Sequence, residues 1–175
     1  MMSRCLTRLT PVLLSMVITA CGGPAPSTPP AEEAATRGAA WLQGLHASDL
    51  TEALRERGLA CGEPRQERET RHWTCEVATP LTGYRVDFYG KVPGRLEYLK
   101  ATITQANRPD AARAIGLLDY VAGLPYETAD PTAARAWVEQ HLESGGQTAF
   151  GQAKYKVSGN LSRLVLEIKA PGSEW

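Results

Sequence analysis

The sequence predicts an α+β domain: an antiparallel sheet of about five strands with helices packed on one face, in the order α-βββ-αα-ββ. Three observations carry this. Stretches that alternate apolar and polar residues cluster between residues 72 and 105 and return after residue 149. Stretches with apolar residues at helical spacing precede and separate those two clusters. The strands come in runs between helices, not in strict βαβ alternation, which argues for α+β.

The elements follow in order. Residues 34–45 place Trp41, Leu42 and Leu45 at helical spacing. Ser48 or Asp49 caps a following helical piece with Leu50, Ala53 and Leu54 on one face, and Gly58 stops it. The two pieces are one bent helix or a short pair. Residues 63–71 (EPRQERETR) are polar and mixed in sign, and read as a solvated loop more than as a charged recognition loop. The first strand is 72–78, with Trp73, Cys75 and Val77 alternating. The second is 83–90, with Tyr84, Val86 and Phe88 facing one way and Arg85, Asp87 and Tyr89 the other. Val92-Pro93-Gly94 is turn chemistry. The third strand is 96–105, with Leu99, Ala101 and Ile103 on one face. These three form a meander with one buried face.

A helix over 110–122 carries Ala114, Ile115, Leu118, Val121 and Ala122 as its apolar stripe, closed by Gly123 and Pro125. Asp130-Pro131 starts the next helix, an N-cap acid followed by proline at the first turn. Ala134, Trp137, Val138, His141 and Leu142 share one side of it, and Gly145-Gly146 ends it. A closing hairpin pairs 149–158 with 161–170 across Gly159-Asn160. Its apolar face is Leu164, Leu166 and Ile168 against Tyr155 and Val157.

The 175 residues make one ordinary domain plus a short appendage. The 19 basic and 19 acidic side chains argue against a nucleic-acid binder, which shows a basic excess, and against a polyacidic or disordered chain. The appendage comes first. Arg4 and Arg8 precede an apolar stretch from Leu9 to Ala20. A membrane-spanning helix needs about 20 residues. This stretch is shorter and reads as an export signal. It ends in Ile18-Thr19-Ala20-Cys21, which resembles the lipobox of bacterial lipoproteins.

The resemblance covers the export segment only. It implies cleavage after Ala20, a diacylglycerol thioether on Cys21 and frequent acylation of the new amino terminus. Two or more acyl chains make a stable anchor where one is marginal. The alternative is an ordinary export signal that contains Cys21. Gly22, where Asp would commonly retain a lipoprotein in the inner membrane, implies the outer membrane in a Gram-negative host. Residues 22–30 (GGPAPSTPP) then form an uncharged, semi-extended tether with a reach of about 25–30 Å at most. The expected organisation is export signal 1–20, lipidated cysteine and tether 21–33, and a single domain 34–175.

Cys5 leaves with the signal and Cys21 takes the lipid, which leaves Cys61 and Cys75. In an exported chain this even pair reads as a disulfide closing a loop of about 15 residues, worth about 3 kcal/mol. A zinc site would want further Cys or His at ligand spacing. A Cys75–His72 nucleophile pair is the remaining alternative.

No nucleophile-elbow, zinc-protease, P-loop or dinucleotide motif occurs. No catalytic residue, metal ligand or cofactor is therefore assigned. His46, His72 and His141 fall on separate elements and read as surface or satisfied boundary residues. Asp87 and Glu97 could meet across a hairpin, but a solvated sheet face accounts for them. Trp41, Trp73 and Trp137 read as core packing, and Trp175 as an end. Arg85, Asp87, Tyr89, Tyr98 and Lys100 fall on the open sheet face as an amphipathic patch, the candidate recognition surface. An ordinary solvated face with cross-strand pairs would look the same. The leading expectation is a non-catalytic, membrane-anchored binding module. Its partner would be an envelope protein, cell wall or a small molecule. An anchored hydrolase would instead need a polar cluster converging in a pocket. An inhibitor of foreign hydrolases would need a rigid protruding loop, with residues 62–71 the place for one.

Overall fold

The computed structural model describes residues 41–78, 83–104, 111–160 and 162–173. The lipobox, Cys21, the tether, Gln105 and Trp175 lie outside them.

The helix expected over 34–45 is absent from its described part, where residues 41–46 turn. Tertiary bonds take the backbone groups a helix would use. Leu42 N–H donates to the Leu96 carbonyl at 2.7 Å, and Ala47 N–H donates to that of Pro93 at 2.8 Å. Leu42 and Leu45 reach the core from this turn. Helix α1 (Ala47–Glu56) starts after His46, not at Ser48 or Asp49, and no side chain caps it. Gly58 stops it as expected, at φ +83°, a left-handed position suited to glycine.

Five strands follow: β1 (Ala60–Cys61), β2 (Arg65–Glu67), β3 (Thr70–Ala78), β4 (Gly83–Gly90) and β5 (Leu96–Thr104). Then come α2 (Ala111–Ala122), α3 (Pro131–His141), β6 (Gly146–Phe150), β7 (Ala153–Asn160) and β8 (Arg163–Lys169). The fold is α+β, and its one antiparallel sheet has eight strands where about five are expected. The order is β3-β4-β5-β8-β7-β6, with β1 and β2 both lying along the outer edge of β3. The three extra strands are short and carry little apolar alternation. β1 and β2 fall in or beside the charged 63–71 stretch, which is a hairpin arm instead of a loop. β6 begins directly at Gly146, the expected helix stop, and a turn at Gly151 and Gln152 separates it from β7, which splits the strand expected over 149–158.

The inward residues of the sheet join the helices in one core. Trp73, Cys75, Val86, Phe88, Leu99, Ile103, Tyr155, Leu164, Leu166 and Ile168 meet Leu50 and Leu54 of α1, Leu118 and Val121 of α2, and Ala134 and Val138 of α3. Two tyrosines fix the helical layer to the sheet. Tyr155 Oη donates to the Ala122 carbonyl at 3.3 Å, and Tyr126 Oη donates to that of Phe150 at 2.9 Å. Burial pushes both phenols above their ordinary range. Ile115 departs from its expected stripe and stands 43% exposed. The cap at α3 is as read: Asp130 accepts from Ala133 N–H at 3.0 Å. The closing turn falls two residues later than expected, because Asn160 pairs with Arg163. β7 runs through Gly159 and Asn160, and Asn160 Oδ1 accepts from the Ser162 and Arg163 N–H groups. Cys61 and Cys75 form a disulfide across directly opposed positions of β1 and β3. Trp73 stacks on Phe88 inside the core, while Trp41 and Trp137 are half-buried.

Every buried hydrophobic residue of the described core lies between Leu42 and Ala170. No described helix is long and apolar enough to cross a membrane.

Candidate functional site

The helices take one face of the sheet, and the strand register arranges the other. Directly opposed residues of antiparallel strands share a face. One row across this second face therefore reads Arg65, His72, Tyr89, Tyr98, Lys169, Lys154. The next reads Thr74, Asp87, Lys100, Glu167, Lys156, Gln147.

The first row is a line of stacked rings. The His72 and Tyr89 centroids lie 4.2 Å apart with planes 11° from parallel. Tyr89 and Tyr98 follow at 5.4 Å. The Lys169 ammonium stands 5.3 Å from the Tyr98 centroid, within reach of its ring quadrupole. Tyr98 is 7% exposed and donates a hydrogen bond to Glu167. Burial, then that carboxylate, push its phenol far above the ordinary range.

Asp87 centres the second row. It is 6% exposed, and three residues spend their donors on it. Arg85 Nε lies 3.0 Å and 2.8 Å from its two oxygens. Thr74 Oγ1 donates at 2.9 Å, and His72 Nε2 sits at 2.8 Å. Burial alone would raise this carboxyl. The bonds from Arg85, His72 and Thr74 together outweigh it and hold the pKa below the usual carboxylate range. The other ring nitrogen of His72 faces Glu67 at 3.1 Å, and Arg85 also reaches Glu76 at 3.6 Å.

Two cavities flank the rows. One of about 420 Å³ lies at the β1–β2 edge, bordered by Pro64, Arg65, His72, Thr74, Glu76 and Arg85. One of about 270 Å³ lies over β7 and β8, bordered by Gln147, Lys154, Lys156, Glu167, Lys169 and Ser173.

All five residues of the sequence-derived patch lie on this face. Arg85 and Asp87 pair, Tyr89 and Tyr98 stack, and Lys100 stands opposite both Asp87 and Glu167 in register. The contemplated Asp87–Glu97 pair does not form: the contacts of Asp87 are with Arg85, His72 and Thr74, and a register shift after Tyr89 takes Glu97 out of the ladder. Sequence reasoning missed His72, Thr74, Glu67 and Glu167. The signal for His72 and Thr74 was parity: if Trp73 and Cys75 face the core, their neighbours face the other way.

A polar cluster beside a cavity is what a hydrolase would need. Here Thr74 Oγ1 stands 3.1 Å from His72 Nε2, and Glu67 orients the far nitrogen. Yet the hydroxyl and Nε2 both converge on Asp87, so the ring nitrogen that would take a proton from the hydroxyl is already engaged. The cluster satisfies itself and braces the ring row. Among the described residues no group of three or more His, Cys, Asp or Glu is placed to hold a metal ion. No protein family, curated protein or solved structure matches this chain.

Proposed function

We propose that the chain is a lipid-anchored envelope protein whose domain is a non-catalytic binding module, with the ring row of the open sheet face as its recognition surface. The observation that carries this is the stack His72–Tyr89–Tyr98, with Arg65 at one end and Lys169 and Lys154 at the other. Tyr89, the half-exposed ring of the row, and the exposed Arg65 and Lys154 offer contact area on a base that the buried His72 and Tyr98 rings hold rigid. The helices already close the opposite face, so the row is not needed to build the core.

The test is capture from envelope extract by the oxidised domain. Tyr98 is too buried to replace cleanly, so Tyr89→Ala is the informative variant. A partner held by the parent and lost by Tyr89→Ala supports the reading. Capture indifferent to Tyr89, or none, refutes it. The exposed β2–β3 hairpin, tied at its base by Cys61–Cys75, favours a second reading as an inhibitor of hydrolases. In that case the captured protein is an enzyme, and its loss follows substitution at the hairpin tip, Arg68→Ala, instead of Tyr89→Ala.

The anchor rests on the lipobox and has its own expected result. Cys21→Ser moves the protein from the membrane fraction to the soluble fraction, because acylation supplies the membrane affinity. Retention of the serine variant in the membrane fraction would count against lipid anchoring.

A further inference from the structure

The end of α1, the inner ends of β3 and β4, and one side of α2 enclose a crevice of about 210 Å³. Leu59, Val77, Tyr84 and Leu117 form its walls, and three of the four are buried. Arg57 and Arg113 line it as well, and both are exposed to solvent. It lies among the helices, apart from the ring row, and owes nothing to that reading.

The two arginines are held in place with no charge partner among the described residues. Arg57 Nη1 donates to the Ala53 carbonyl at 2.8 Å, and its guanidinium lies 3.6 Å above the Tyr120 ring. Arg113 Nη2 donates to the Arg57 carbonyl at 3.3 Å. Neither forms an ion pair with a described carboxylate. A guanidinium carries five N–H donors in a planar fork that matches a carboxylate, and each arginine spends one on a carbonyl here.

Gly116 adds a second observation. It lines the crevice from an interior helical position, where glycine costs about 1 kcal/mol against alanine. Gly116 is exposed and a Cβ placed there would meet open space, so α2 carries no side chain over the mouth of the crevice at this position. The residue before it, Ile115, is one of two large hydrophobic side chains exposed among the described residues. An apolar slot, a helix wall left bare by a glycine and two oriented cations together describe a site for an amphiphile with a negative head. The volume is below the roughly 300 Å³ at which pockets for drug-sized ligands begin, so a single short chain fits and a two-chain lipid does not.

We infer that this crevice binds a medium-chain fatty acid, its hydrocarbon between α2 and the side chains of Leu59, Val77 and Tyr84 and its carboxylate on Arg57 and Arg113. The probe is octanoate, titrated calorimetrically into oxidised residues 22–175, which contain the whole described core. Octanol and octyltrimethylammonium serve as neutral and reversed-charge controls. The expected result is saturable one-site binding of octanoate at least tenfold tighter than octanol, with no binding of the cation. Arg57→Gln with Arg113→Gln abolishes the tenfold preference. Gly116→Leu covers the mouth of the crevice and abolishes binding of both, with a thermal transition as high as the parent's or higher, which separates blockage from unfolding. Equal affinity for octanol and octanoate, octanoate binding that survives Gly116→Leu, or no saturable binding by the parent would each overturn the inference.

Discussion

Asp87→Ala is expected to lower the unfolding free energy by about 2–4 kcal/mol. The substitution strips a buried acceptor from His72 and Thr74, and an unsatisfied buried polar group costs about 1–3 kcal/mol. Arg85 contributes less, because its half-exposed side chain can turn to water. Native domains hold only about 5–15 kcal/mol in total, so the loss is a large fraction and urea unfolding would show it directly. Asp87→Asn keeps shape and one acceptor and separates charge from hydrogen bonding. The pH dependence has a definite sign. The folded pKa of Asp87 lies below its unfolded value near 4. The stabilisation is therefore full above pH 4 and is lost as pH falls through the lower folded value. The gap in melting temperature between the parent and Asp87→Asn should narrow as pH falls below 4. A gap that persists unchanged at pH 3 would show that the charge of Asp87 contributes nothing.

Loss of the Cys61–Cys75 bond is the other large effect. The two cysteines are 14 residues apart. Closing a loop of that size removes unfolded-state entropy worth about 3 kcal/mol. For a domain of this size that is a drop of about 6–12 °C in melting temperature. The Cys61→Ala, Cys75→Ala double variant and the parent under reductant should melt alike and below the oxidised parent. The damage should also be local. β2 has its described pairing with β3 alone, and the bond anchors the chain just before it. Loosening β2 removes Glu67 from His72 and Arg65 from the edge cavity. Hydrogen exchange at residues 65–67 should rise more than at 83–90. Identical melts with and without reductant would refute the prediction.

These two sites also show what the residues reveal in advance. The span of β4, the start of β5, the helix after Asp130 and the inward sets of β3, β4, β5 and β8 are legible, because period-two alternation and an acid-proline start are local signals. The disulfide is legible by counting. The failures share a cause. Residues 41–46 have helical spacing, but hydrogen bonds to Leu96 and Pro93, half a domain away, override it. β1, β2 and β6 become strands because a neighbour offers an edge, not because their own pattern demands it. Within the site, the patch from Arg85 to Lys100 follows from parity. The partners of Asp87 do not, since His72 and Thr74 come from a strand whose register to β4 depends on the whole sheet.

The position of β5 bears on how the molecule is assembled in time. Its partner on one side, β4, is a short turn away. Its partner on the other, β8, is the last described strand, and Tyr98 joins Glu167 across 69 residues. Pairings so distant in sequence close slowly, because loop entropy is spent before contacts repay it. A chain that emerges amino terminus first can complete the β3–β4–β5 meander while β8 is still unmade. For that interval β5 is a bare edge of nine residues, Leu96–Thr104, with Leu99, Ala101 and Ile103 uncovered by the final strand. Such an edge invites pairing with a neighbouring chain. The final seven-residue strand, Arg163–Lys169, thus ends the exposure as well as completing the sheet. Late arrival, more than low final stability, is the vulnerability this topology builds in.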